Sequence, residues 1–154
     1  MSVFVIGNVL VDIQVKVADS AIFEKYSLIP NEVQVIFTPD DPQVALFPAI
    51  LAEEEKKWTS GGSEVNTAKM INHVMAAQGK PGQVLLFGGA GDDNYAAMIE
   101  KELSSDGIST YFHKDTEIGQ TGMCVTIVHN KKRTICAHLL SAKKYAIAHL
   151  NAHE

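Results

Sequence analysis

Cysteine is scarce in this sequence: of 154 residues only Cys124 and Cys136 are cysteines. Two thiols are too few for a disulfide framework and fit a reducing cytosol. Long apolar runs are missing too, since none approaches the roughly 18 residues that span a bilayer. There is no surplus of positive charge: 13 Lys and Arg against 18 Asp and Glu leave a formal charge of −5. That balance removes the electrostatic reason to expect nucleic acid as a partner. The first residues, Met1-Ser2-Val3-Phe4-Val5-Ile6-Gly7, have no basic stretch ahead of their short apolar run, so they read as a strand and not as a signal peptide. Neither His-Glu-x-x-His nor Cys-x-x-Cys occurs. His149 and His153 stand four apart, a helical metal spacing, but without a third ligand they do not make a zinc site. No internal repeat or low-complexity segment is present.

What remains is an ordinary globular composition, 46% hydrophobic and 20% charged. A chain of this length buries about 70% of its unfolded surface as one core, so residues 1–154 read as one domain. Strand-like runs alternate with helical patterns. Residues 3–7, 9–17 and 31–37 read as strands. Thr38-Pro39-Asp40-Asp41-Pro42 supplies a turn and a helix start, with the helix running to about Lys57 and kinked at Pro48. Ser63 to Ala77 places Val65, Ala68, Asn72 and Met75 at helical spacing, and Gly79-Lys80-Pro81-Gly82 stops the helix. Residues 84–87 form a buried strand. Asp92 or Asp93 then caps a helix on which Tyr95, Ile99 and Leu103 recur, ended by Gly107. Met70, Met75 and Met98 read as core. Residues 110–113, 123–129 and 134–139 read as further strands, the last two joined at Asn130-Lys131-Lys132-Arg133, with Cys124 and Cys136 near one another across that hairpin. The pattern predicts an α/β fold: a parallel sheet covered by helices, with an antiparallel addition.

Residues with chemical promise fall at strand ends, where open α/β sheets bind ligands. Asn8 and Asp12 follow the first strand. A carboxylate beside an amide suits two adjacent hydroxyls, because the carboxylate accepts both protons; the same pair also suits an ordinary turn. Gly61-Gly62-Ser63 precedes a helix, with Asn66 one turn later. Small residues there either let a ligand approach the N–H groups at the positive end of the helix dipole or mark a plain helix entry.

The ordered set Gly7-Asn8-x-x-x-Asp12, Gly61-Gly62-Ser63-x-x-Asn66, Gly88-x-x-Gly91-x-Asp93 and Thr121-Gly122 resembles the adenosine kinase branch of the ribokinase-like sugar and nucleoside kinases. The segments Phe23-Glu24-Lys25-Tyr26-Ser27-Leu28-Ile29-Pro30-Asn31 and Arg133-Thr134-Ile135-Cys136-Ala137 agree with it. The resemblance implies a ribokinase-like α/β fold: a parallel sheet with flanking helices and a small β lid, of which this chain is the N-terminal portion, lid strands included. It implies that Asn8, Asp12, Gly61, Gly62, Ser63 and Asn66 hold a nucleoside, chiefly its ribose. Ile36, Ile135 and Ala137 would line the adenine and lid side, and Arg133 would lie near the transferred phosphate. The implied activity is phosphorylation of the adenosine 5′-hydroxyl to AMP by ATP and Mg2+ in purine salvage. Alternatives are a kinase for another sugar or nucleoside and a non-catalytic nucleoside-binding or interaction fragment.

Gly89-Ala90-Gly91-Asp92 matches the family's anion hole and catalytic base in letters but not in place. In the family that run lies far toward the C-terminus, so the resemblance puts the base beyond Glu154, leaves no catalytic residue here, and predicts that this chain binds ATP and Mg2+ poorly. Residues 89–92 are expected to form a strand-to-helix turn. Several positions depart from the pattern: Val9 replaces a proline, Glu64 and Val65 sit inside the Gly-Gly-Ser-x-x-Asn motif, Ala96 replaces a glycine, and His138 and Lys143 stand where asparagine is usual. A cytoplasmic protein is expected, with adenosine or a related nucleoside as partner, no nucleic acid or membrane, and self-association through uncovered surface.

Overall fold

Residues 2–79 and 82–152 are described by a computed structural model. The strands are β1 (Ser2–Ile6), β2 (Leu10–Lys16), β3 (Val33–Ile36), β4 (Lys56–Gly61), β5 (Gln83–Gly91), β6 (Ile108–Asp115), β7 (Gly122–His129) and β8 (Lys132–His138). The α-helices are α1 (Ala21–Lys25), α2 (Leu46–Ala52), α3 (Ser63–Ala77), α4 (Asn94–Ser105) and α5 (Ile147–Asn151), with 3-10 turns at Pro42–Ala45 and Leu140–Lys144. The chain divides into two units. One takes in residues up to Val11, Ser60–Gly122 and the segment from Leu140 onward; the other is Asp12–Thr59 with Met123–Leu139.

The first unit is built on a parallel three-stranded sheet in the order β1-β5-β6. The central strand β5 is buried along nearly its whole length and opens with the continuous apolar run that a buried parallel strand requires, whereas β6 mixes polar with apolar residues. α3 packs against β1 and β5, and α4 against β5 and β6. Val65, Ala68 and Met75 of α3 and Ala96, Ile99 and Leu103 of α4 are buried. α3 has the expected bounds, while the last residues of its expected stop, Lys80 and Pro81, lie outside the described residues. On α4 the fully buried first-turn residue is Ala96, whereas Tyr95 is half-buried. Phe4, Phe87 and Tyr111 stack in a row across β1, β5 and β6, with centroids 5.9 and 4.8 Å apart. Phe4 remains 60% exposed at the β1 end of that row.

The second unit centres on the five-stranded order β3-β8-β7-β2-β4. β3 runs parallel to β8, and β7 antiparallel to it. Asn130 and Lys131 join β7 to β8 with φ of +48° and +62°, the conformation that a two-residue hairpin needs to match strand twist. Alternation sorts the strands into two faces. Ile13, Val15, Val125, Ile127, Cys136 and Ile36 are buried on one, where Phe23 of α1 meets His129 and Phe47 of α2 meets His138 edge-on. Asp12, Cys124, Thr126 and Ile135 alternate with them and are half-buried.

Three expectations are corrected. The helix from Pro42 is a 3-10 turn followed by α2, which ends at Ala52 and not Lys57; residues 56–61 form β4 instead. Pro48 sits in the first turn of α2, where its missing N–H has no intrahelical partner to lose, so it interrupts nothing. Met70 is 62% exposed and lies outside the core.

Candidate functional site

The entry to α3 brings Asn8, Gly61, Gly62 and Ser63 together. Gly62 adopts φ +96°, and a Cβ there would stand 2.3 Å from the Asn8 carbonyl oxygen, so only glycine permits this approach. No side chain caps α3 at Gly62; the Asn66 N–H bonds to the Gly62 carbonyl oxygen at 3.0 Å as the first helical link. Ser63 and Asn66 are exposed on the first turn, and Gly61 is buried at the end of β4. Glu64, absent from the expected set, reaches back to this corner. Its Oε2 accepts from the Asn8 N–H at 3.1 Å and from the Ser63 hydroxyl at 2.9 Å. The signal for it was an acidic residue in the first turn of a helix.

Asp12 stands in the other unit, on the half-buried face of the five-stranded sheet. Burial, and then the adjacent Asp12 charge, push the Cys124 thiol up to about 12, so Cys124 is a neutral S–H facing the carboxylate. Pairing across β7 and β8 sets Cys124 opposite Ala137 and Thr126 opposite Ile135. Ile135 and Ala137 therefore share a face with Cys124. β3 contributes Val33 and Val35 there, in register with Ile135 and Ala137, while Ile36 pairs with His138 on the buried face at 4% exposure. The structure thus sets Ile36 apart from Ile135 and Ala137, and Val35 takes the place beside Ala137. Arg133 is exposed, opposite Val128 near the hairpin end. Cys124 and Cys136 are one register step apart and both free.

Gly89-Ala90-Gly91 is strand, not turn: β5 continues through Gly91, paired with His113, Lys114 and Asp115 of β6. A Cβ on Gly89 would stand 2.5 Å from the Ser141 carbonyl oxygen, and one on Gly91 2.5 Å from the backbone of Gln120 and Thr121. The glycines admit neighbouring backbone. The Gly91 N–H donates to Thr121 Oγ1 at 3.1 Å. Asp93 caps α4 by accepting from the Ala96 N–H at 2.9 Å, while Asp92 is exposed. The Gly91 amide is thus already engaged within the fold.

Among the described residues no group of three or more His, Cys, Asp or Glu could hold a metal. His149 stacks on His113 at 5.4 Å and meets Tyr145 edge-on; His153 lies outside the described residues. No described helix is long and apolar enough to cross a membrane.

A parallel sheet with packed helices in one unit and a mixed five-stranded sheet in the other define a ribokinase-like α/β fold. The model of the pfkB family of carbohydrate kinases matches residues 33–154, and the chain belongs to that family. Over 150 residues it is 30% identical to the adenosine kinase of Saccharomyces cerevisiae, a match covering 97% of this chain and 42% of that protein. It is 25% identical over 148 residues to adenosine kinase 2 of Arabidopsis thaliana, covering 96% and 41%. The adenosine kinase from Schistosoma mansoni, solved in complex with adenosine, superposes with a TM-score of 0.83 at 26% identity, covering 96% of this chain and 40% of that one. The chain thus spans about two fifths of the length of these relatives.

Proposed function

We propose that the chain supplies the nucleoside-binding side of an adenosine kinase-type enzyme, which passes the γ-phosphoryl group of ATP to the adenosine 5′-hydroxyl and yields AMP for purine salvage. One observation carries this reading: Asp12 places a carboxylate on the half-buried sheet face that also holds Ile135 and Ala137. A carboxylate accepts the protons of two adjacent ribose hydroxyls, and apolar side chains on the same face suit a base. Similarity to adenosine kinases favours adenosine over a bare sugar. Asn8, Gly61, Gly62, Ser63 and Asn66 are assigned to the sugar as well, and Arg133 to the phosphate side. ATP and Mg2+ are assigned to residues outside this chain; in the Gly89-Ala90-Gly91 run the Gly91 amide is already taken by Thr121 Oγ1. The same observation favours, as a second reading, a fragment that binds nucleoside without turning it over. We place the protein in the cytoplasm, where two free thiols stay reduced. Self-association is part of the proposal, with Phe4 and Ile6 exposed on β1 at the edge of its sheet.

Calorimetric titration with adenosine tests the site. Each hydroxyl bonded to a charged carboxylate contributes about 1.5–3 kcal/mol, so Asp12→Ala is expected to weaken binding by at least about tenfold. Unchanged affinity would remove Asp12 from the site. Competition by ribose as strong as that by adenosine would favour a kinase for another sugar.

A further inference from the structure

Among the described residues β1 pairs on one side only, with β5, and its sequence Ser2-Val3-Phe4-Val5-Ile6 has no charge, proline or glycine. Such residues normally blunt an exposed strand edge. The opposite edge of the same sheet, β6, is blunted in this way: it carries Lys114, paired with Glu100, and Asp115. On β1, Val5 is buried whereas Phe4 and Ile6 are exposed, and the backbone shows which groups are open beside them. The Gly7 N–H bonds to the Phe87 carbonyl oxygen of β5 at 3.0 Å. Backbone groups of successive residues point to alternate sides of a strand, so Val3 and Val5 also face β5, while the N–H and C=O of Ser2, Phe4 and Ile6 face outward.

Three open positions centred on Phe4 make the edge complementary to itself. When a second β1 runs antiparallel with Phe4 opposite its own copy, Ser2 falls opposite Ile6, and every one of these positions is a hydrogen-bonded pair, about six bonds in all. Opposed residues share a face. The row of Phe4, Phe87 and Tyr111, with centroids 5.9 and 4.8 Å apart, therefore continues through the second Phe4 into the row of the second copy. A two-fold contact sets each residue against its own kind, which is costly where residues are charged, and β1 carries no charge.

We propose that β1 is a dimerisation edge: two copies of this chain join it antiparallel about a two-fold axis at Phe4, turning two three-stranded sheets into one six-stranded sheet. The inference rests on the self-association proposed above and gives it a surface and a register; it does not depend on the nucleoside reading. The contact uses up both β1 edges, so assembly stops at two chains.

Sedimentation velocity of the whole chain over a range of concentrations gives the first measurement. The unaltered chain is expected to show a monomer–dimer equilibrium with no larger species. Phe4→Lys sets two like charges across the axis and is expected to weaken dimerisation at least about tenfold, less so at about 0.5 M salt. Melting curves check that this variant is folded, and cysteine variants decide the matter if it is not. In the second measurement Phe4→Cys and Ile6→Cys are treated with oxidised glutathione, with the unaltered chain as the control for Cys124 and Cys136. A hydrogen-bonded antiparallel pair sets its Cα atoms about 5.5 Å apart, within disulfide reach, whereas the two copies of residue 6 stand about 13 Å apart. A covalent dimer is therefore expected from Phe4→Cys and not from Ile6→Cys or the control. Equal crosslinking at positions 4 and 6, or a dimer that a folded Phe4→Lys leaves intact, overturns the β1 register and moves self-association to another surface. A chain that is monomeric at every concentration overturns both, and species larger than a dimer overturn the two-fold closure. Neither measurement contains a nucleoside, so a failure to bind adenosine leaves this inference standing.

Discussion

Asp93 and Thr121, 28 residues apart in sequence, are joined by two hydrogen bonds: Asp93 Oδ2 accepts from the Thr121 N–H at 2.8 Å, and Oδ1 from the Thr121 hydroxyl at 2.7 Å. Thr121 is fully buried and its Oγ1 also accepts from the Gly91 N–H. Two of the sequence motifs, Gly88-x-x-Gly91-x-Asp93 and Thr121-Gly122, are thus one clasp that starts α4 and fixes the end of β5. Asp93→Ala removes a helix cap and strands two buried donors, so a loss of about 2–4 kcal/mol is expected in urea denaturation. A double-mutant cycle with Thr121→Val is expected to show clear coupling; additive effects would mean that the two act independently.

The neighbouring carboxylate is expected to behave differently. Asp92 is exposed and adjoins the Gly91 amide, which is already hydrogen-bonded. When the chain is incubated with labelled ATP and adenosine, no AMP is expected above background, and Asp92→Asn is expected to match the unaltered chain. AMP formation that disappears in Asp92→Asn would make the run catalytic.

Asp115 gives a pH signature. Its burial works to raise the pKa, but bonds from the Ser141 hydroxyl and the Ile118 and Glu117 amides outweigh it and hold the carboxyl below the usual 3.8. A depressed folded-state pKa means a contribution to stability that is present above the ordinary value and lost as pH falls below it. Asp115→Asn is expected to lower the melting temperature by about 5 °C at pH 7, with the gap closing below about pH 4. A gap that stays constant down to pH 3 would assign the effect to packing.

At the alkaline end the thiols take over. Burial, followed by the Asp12 charge for Cys124 and the Asp41 charge for Cys136, raises these thiols to about 12 and about 11. A raised folded-state pKa contributes stability that is complete below the unfolded value near 9.0 and disappears as pH climbs through the folded value. Cys124→Ala is expected to flatten the loss of stability between about pH 9 and 12. Asp12→Asn is expected to lower the Cys124 pKa and speed its alkylation at pH 9 several-fold; an unaltered rate would separate Asp12 from Cys124.

Gly62 and Gly107 both have positive φ, +96° and +81°, but only Gly62 faces close backbone. Gly107→Ala is expected to cost about 1 kcal/mol and Gly62→Ala at least about 2 more, read from chemical denaturation. Equal losses would place the whole effect in backbone conformation and none in the approach of Asn8.

Sequence alone determined the elements whose signals are local. The Gly-Gly entry and the spacing of Val65, Ala68 and Met75 defined α3 at Ser63–Ala77, and continuous apolar runs marked β1 and the first half of β5. β4 escaped because its residues 57–59 are exposed and carry no apolar alternation; β4 exists because β2 pairs with it. Tertiary structure decided the second half of β5, where Gly88 to Gly91 read as a turn until the backbones of Gly7, Ser141 and Gln120 come within reach of their missing side chains. It also decided that Asp93 meets Thr121, that Glu64 folds over Gly7, and that Val35, not Ile36, shares a face with Ala137. The physical reason is common to all four. Apolar period and turn chemistry act within a few residues, whereas a strand's register sets which face each side chain takes, and a shift of one residue reverses it.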